Sequence, residues 1–180
     1  MILLLAQLMV GIAPEPLPKA PPPAAAIERR ALKKPPDALF ADLISSDEQH
    51  RKDAMDTLGF EFMRGNYFGD AALHAVNMDV DEATERLISL DNGVAVMKQE
   101  GDVWWLLGSF SCCGPSGNAP RPFVEWKELA WAGTKDLIIR SSGIHGTGVG
   151  QTIFTAYRIL RGQLYPVIEM EEQSYNLRET

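Results

Sequence analysis

Gly93-Val-Ala-Val-Met-Lys-Gln-Glu100-Gly-Asp-Val-Trp-Trp-Leu-Leu-Gly-Ser-Phe110 is the stretch whose reading decides the fold. Residues 94–96 and 103–107 are unbroken apolar runs, and Glu100-Gly101-Asp102 lies between them. Short apolar runs bounded by turn residues fit strands covered on both faces, and their length sets them apart from a buried helix. The Gly-Asp step supplies the turn of a hairpin. Successive side chains of a strand point to opposite faces, so Trp104 and Trp105 require cover on both sides of the sheet. The pair reads as core packing rather than as a stacking platform for sugars or bases.

Toward the C-terminus the same logic continues. Residues 123–129 alternate, with Phe123, Glu125, Lys127 and Leu129 on one face and Val124, Trp126 and Glu128 on the other. Residues 131–136 turn the chain, and strands follow over 137–140, 152–160 and 163–170, with Arg161-Gly162 turning between the last two. Turn signals recurring at such short intervals suit an antiparallel sheet rather than βαβ units. Upstream, residues 71–76 and 87–90 are further strand candidates.

Ahead of these strands lies a helical pattern. Asp37 follows Pro35-Pro36 and can cap a helix striped by Leu39, Phe40, Leu43 and Ile44. Ser46 with Gln49 forms a capping box for a second helix, faced by Ala54, Met55 and Leu58 and stopped by Gly59. His50 and Arg51 fall on its solvated side. Residues 37–59, with the pattern Leu-Phe-Ala-Asp-Leu-Ile-Ser-Ser-Asp-Glu-Gln-His-Arg-Lys-Asp-Ala-Met-Asp-Thr-Leu-Gly from Leu39 on, resemble one HEAT repeat, and no second copy follows. A lone repeat has no neighbour on which to stack, so the pair is expected to pack on the edge or face of the sheet. The expected fold is α+β: a helical hairpin over 37–62, then an antiparallel β domain over 63–172, and a tail over 173–180. The β domain is expected to be a meander of about seven strands, as a sheet roll or small barrel. A chain of 180 residues, 46% of them hydrophobic, can supply such a core.

Residues 1–13 form an uncharged apolar run, too short to span a bilayer comfortably but suited to the core of a secretory signal. Gly11-Ile-Ala13 offers small residues for cleavage, although no Lys or Arg precedes the run and Pro14 follows it. Residues 14–36 hold eight of the twelve prolines and a net charge of +3, and read as a semi-rigid, polyproline-like linker. The whole chain carries −7, which leaves −10 on residues 37–180 and argues against a nucleic-acid surface. The expectation is a periplasmic or secreted protein. The alternative is one anchored to the membrane by residues 1–13, its only route to a membrane.

Three local chemistries stand out. In Asn77-Met-Asp-Val-Asp-Glu-Ala-Thr-Glu85, oxygen side chains fall at positions 1, 3, 5 and 9 of a loop. This spacing resembles the calcium loops of integrin-type propeller repeats, which implies Asn77, Asp79, Asp81, Glu85 and the carbonyl of Ala83 as oxygen ligands for calcium. It departs from that pattern at Glu82, where the family has glycine, and an EF-hand is excluded by Ile88 at the twelfth position. A solvated acidic turn is the competing reading. Cys112 and Cys113 are adjacent and are the only cysteines, so a vicinal disulfide, two separate thiols and a thiol-redox or soft-metal site all stay open. The glycine-rich stretch Gly143-Ile-His-Gly-Thr-Gly-Val-Gly150 reads as a flexible hairpin tip, and His145, Gly146 and Thr147 form a candidate ligand loop. His145-Gly-Thr147 looks like the histidine motif of subtilisin-type proteases, but the nucleophile and acid segments of that family are missing. No Lys-Ser/Thr follows to make a phosphate cradle.

No complete catalytic set emerges. The reading is an exported, non-enzymatic binding or structural module that takes a protein or small ligand. Its alternatives are a calcium-stabilised extracytoplasmic domain, a hydrolase using His145 with an acid such as Asp136, and a thiol-redox enzyme using Cys112 and Cys113. No cofactor is called for unless calcium fills the acidic turn.

Overall fold

The computed structural model describes residues 25–60, 71–81, 83–90, 93–111, 124–129, 133–145 and 149–176. The stretches 1–13, 14–24 and 112–123, with Cys112 and Cys113, lie outside the described residues. So do Gly146, Thr147 and the side chain of His145.

The chain is α+β, as its patterning implies. Strand β1 (Arg30–Ala31) is followed by helices α1 (Pro36–Leu43) and α2 (Glu48–Leu58). Strands β2 (Ala72–Val76), β3 (Glu85–Leu90), β4 (Gly93–Glu100) and β5 (Val103–Ser111) come next. Then come β6 (Val124–Lys127), β7 (Asp136–His145), β8 (Val149–Leu160) and β9 (Gln163–Asn176).

The expected single meander of about seven strands is corrected to two antiparallel sheets, and among the described residues neither closes into a barrel. One sheet has five strands in the order β1-β5-β4-β3-β2, the other four in the order β6-β7-β8-β9. The reason lies at the edge of β5. Arg30 and Ala31 pair there with Leu106 and Trp105, so the edge that β6 would need to continue the meander is taken.

The decisive hairpin forms as its sequence implies. Glu100 pairs with Val103 across a two-residue turn, and residues 93–98 of β4 are all buried. A bulge after Val96, opposite Leu107, shifts the register partway along the pair. Both tryptophan faces find cover. Trp104 joins a core formed by Leu39, Leu43, Met55 and Leu58 of the helices with Ile88, Ala95, Met97 and Leu106 of the sheet. Trp105 joins the layer between the sheets, where Leu87, Val94, Val96 and Leu107 meet Leu137, Ile139, Ile159 and Leu164. The molecule is therefore three layers deep, with helices on one face of the five-stranded sheet and the four-stranded sheet on the other.

The helical hairpin packs on the sheet face, but its N-caps are not the expected ones. Pro35 is the N-cap of α1 and makes no side-chain bond, while Pro36 takes the first helical position and Asp37 the first turn. A residue before proline is driven to extended backbone and proline suits the first helical position, so Pro35-Pro36 sets the boundary ahead of Asp37. For α2 the cap is Asp47 rather than Ser46, its carboxylate accepting from Gln49 N at 2.8 Å and His50 N at 3.3 Å. Those bonds, His50's ahead of Gln49's, hold Asp47 below the usual carboxylate range. Gly59 ends α2 at φ +75°, as expected of a left-handed stop.

The stretch read as a linker is pinned to the sheets along its C-terminal part. Ile27 N donates to Leu164 O at 2.9 Å, and Leu32 N donates to Trp104 O at 2.8 Å. Arg29 lies over Trp105 at 4.4 Å and binds both carboxylate oxygens of Glu100 at 2.7 Å.

Candidate functional site

The site begins with one out-of-place charge. In β4 the side chains of Val94 and Val96 face the second sheet, and strand alternation puts Lys98 on that same face. In β3 the same argument puts Glu85 on the face of Leu87. Arg86 pairs with Met97, so Glu85 and Lys98 meet one step further along the ladder. Both are buried, Glu85 completely.

A buried ammonium needs partners, and the β2–β3 loop provides them. Lys98 Nζ donates to Asp79 Oδ2 at 2.7 Å, Asp81 Oδ2 at 2.7 Å and Glu85 Oε1 at 2.8 Å. The remaining oxygens shape the loop. Glu85 Oε2 accepts from Met78 N, Asp79 Oδ1 from Asp81 N, and Asp81 Oδ1 from Ala83 N. Three of the expected calcium ligands, Asp79, Asp81 and Glu85, thus come together, with their oxygens within 4.8 Å of one another. The cation among them is the protein's own Lys98. Asn77 contributes its main-chain carbonyl to Lys135 N, and its Oδ1 is buried with no hydrogen-bond partner among the described residues.

The electrostatics follow from this stoichiometry. Burial is the largest single influence on Lys98 and works against its charge, yet Asp79, Asp81 and Glu85 together outweigh it and raise its pKa. The bond from Lys98 lowers Asp81. Glu85 moves the other way: desolvation pushes it up, against the bonds from Lys98 and Met78 N. One ammonium cannot neutralise three carboxylates, and the most deeply buried of them carries the penalty.

Above this cluster a cleft of about 520 Å³ opens at the end of the sheet pair. Its walls include Val80 and Asp81 of the β2–β3 loop, Glu100 at the β4–β5 turn, and Leu160 and Arg161 at the β8–β9 turn. Every wall is braced. Arg29 ties Glu100 to the β8–β9 turn through Gly162 O at 3.4 Å. Arg158 grips both oxygens of Asp136 at 2.6 Å, and Asp136 in turn raises the Arg158 pKa. Gly162, at φ +72°, sits in the left-handed region that a side chain would strain, and a Cβ there would push aside the end of Glu100, whose Oε1 would lie 2.5 Å away. Arg161 beside it has φ +53° and is the only described non-glycine residue in the left-handed region.

No family model matches this chain, and no curated protein or solved structure matches it either. The site therefore rests on its own geometry.

The remaining expected site residues are placed as follows. The glycine-rich stretch is ladder rather than loop up to its tip, with Gly143 paired to Gln151 and His145 to Val149. Asp136 and His145 are the two ends of β7, ten residues long, which at about 3.3 Å per residue sets them roughly 30 Å apart. They cannot form a catalytic pair, and Asp136 is already committed to Arg158.

Two features went unseen in the sequence. One is Lys98, whose signal was a charge at an inward position of an otherwise apolar strand. The other is a contact between sheet edges: His74 Nε2 and Ser89 Oγ are 2.9 Å apart, and the His74 ring lies 4.7 Å from that of Trp126. No carboxylate bonds His74 among the described residues, so the pair fastens β2 to β3 and β6 without the constellation of a nucleophile.

Proposed function

We propose that the protein is an exported, non-enzymatic binding module whose ligand enters the cleft at the end of the sheet pair. Export is supported by the apolar residues 1–13 and the proline-rich stretch after them. Binding is supported by one observation above the others: three connections converge on a concave site and are held there by ion pairs at Glu100 and Asp79 and by the Arg29 hydrogen bond to Gly162 O. Preorganised walls spare a ligand the cost of ordering them. The lining suits a small amphipathic molecule. Val80, 87% exposed, and Leu160, 38% exposed, offer apolar contact, while Arg161 on one side and Asp81 on the other offer opposite charges.

Amide shifts of the isotope-labelled full chain, titrated with a library of small carboxylates, amines and zwitterions, test the reading. Perturbations confined to residues 78–81, 98–100 and 158–162, and abolished in Leu160→Asp, are the expected outcome. A library that moves no amide in these segments, or moves them no more than the rest of the chain, would rule the cleft out.

A further inference from the structure

Among the described residues β9 is the longest strand, at fourteen residues, and only β8 pairs with it. Its other edge carries main-chain groups able to receive a further strand. Two details show that this edge faces outward. Ile27 N donates to Leu164 O from outside the sheet, so a main chain can approach here and bond. Two residues on, Pro166 stands opposite Tyr157, and proline is tolerated in a strand where its missing N–H faces no partner.

The side chains say what could dock. Residues 167–171 are all exposed. Ile168 and Met170 stand opposite Ala156 and Phe154 on one face of the sheet, while Glu169 and Glu171 stand opposite Thr155 and Ile153 on the other. An arriving strand would therefore meet an apolar row on one face and a row of carboxylates on the other. Among the described residues no cation pairs with Glu169 or Glu171.

We propose that the outer edge of β9 accepts a basic extended peptide, with Lys or Arg alternating with apolar residues, as an added strand. The alternation sets cations beside Glu169 and Glu171 and apolar side chains beside Ile168 and Met170, and the main-chain ladder supplies register. A second copy of this chain fits poorly, because antiparallel pairing of two β9 strands would bring their carboxylate rows onto one face. The residues that precede Ile27 fit poorly too, since Pro14, Pro16, Pro18 and Pro21 to Pro23 have no N–H for a ladder. This surface is separate from the cleft, and the two readings stand or fall independently.

The test is fluorescence anisotropy of the full chain with three labelled nine-residue peptides. The first alternates Lys and Val, the second is the same sequence N-methylated at alternate residues, and the third alternates Glu and Val. The first should bind, and N-methylation, which leaves charge intact and removes ladder donors, should weaken it at least tenfold. The double variant Glu169→Lys/Glu171→Lys, altered only at exposed positions, should lose the first peptide and gain the third. Leu160→Asp in the cleft should leave binding of the first unchanged. Equal binding of the N-methylated peptide would reduce the effect to general electrostatics and overturn the proposal. So would no binding at all, which would leave Glu169 and Glu171 as guards against association, or a concentration-dependent dimer in sedimentation, which would give the edge to a second copy.

Discussion

Lys98 holds three carboxylates at the end of the layer between the sheets, and Glu125 holds two cations, Arg140 and Lys127, on the outer face of the second sheet. The two clusters share a plan, one central charge with several opposite ones around it. They differ in depth. The Lys98 side chain is 6% exposed and Glu85 not at all, whereas Glu125 is 13%, Arg140 17% and Lys127 58% exposed. Lys127, ahead of Arg140, holds Glu125 below the usual carboxylate range, and water can readily take the place of the exposed Lys127. Glu85, fully buried, has no such exchange for Lys98. Contacts of the same kind therefore carry different energies, set by what surrounds them.

The largest effect should come from Lys98→Met. It leaves three clustered carboxylates with no cation, one of them fully buried, and breaking a buried ion pair on one side costs about 3–5 kcal/mol. Urea melts measure it, and a loss below about 1 kcal/mol would show that the cluster rearranges at no cost. The same variant sharpens the reading of the acidic turn. With Lys98 present, millimolar calcium and chelator should give the same melting temperature. In Lys98→Met, calcium should raise it, because the oxygens then lack their resident charge. A calcium-dependent rise in the unaltered protein would return the turn to the metal site its spacing resembles.

Next in size is Arg158→Met, which leaves the nearly buried carboxylate of Asp136 without its two-pronged partner. A loss of about 2–3 kcal/mol is expected in the same melts, within the range for hydrogen bonds to charged groups. A loss as large as that for Lys98→Met would mean that depth matters less than bidentate geometry.

How much of this was legible follows from the same contrast. The hairpin over 93–110 could be read because turn chemistry and apolar runs are local, and Gly59 could be read as a stop for the same reason. The division into two sheets could not, because it depends on Arg30 and Ala31 reaching an edge some seventy-five residues away in sequence. The caps slipped by a residue or two because Ser46 and Asp47 both suit the role, and because Pro35-Pro36 overrides Asp37. The acidic loop was found by its spacing, but the meaning of that spacing depends on Lys98, which lies on another strand. Alternation along β4 put Lys98 inward. Only the register with β3 put it against Glu85.

Glu85→Gln should have a smaller effect, about 1–2 kcal/mol at neutral pH, because the amide sheds the desolvation cost of the charge and keeps one acceptor but turns its NH2 toward Met78 N or Lys98 Nζ, both donors. Its pH dependence says more. The folded-state pKa of Glu85 is raised, so the native protein takes up that proton more readily than the unfolded chain. The destabilising share is present at neutral pH and is relieved as pH falls through the raised pKa, above the ordinary value of 4.5. Asp81, lowered, contributes stability that is lost only as pH falls below its ordinary 3.8. Between these limits the unaltered protein should gain stability on acidification relative to Glu85→Gln. A difference curve that is flat there would mean that Lys98 fully compensates the burial of Glu85.

The smallest effect should come from Glu125→Gln, below about 1 kcal/mol, because the amide keeps an acceptor for Arg140 and the partner it loses, Lys127, is 58% exposed. Salt distinguishes it from the deep cluster. Screening acts over about 10 Å at 0.1 M and about 3 Å at 1 M, and it reaches exposed charges far better than buried ones. Melts in low and high salt should shrink the Glu125→Gln difference toward zero while leaving that of Lys98→Met nearly intact. A Glu125→Gln loss that survived high salt would mean that this carboxylate is dry in the native protein.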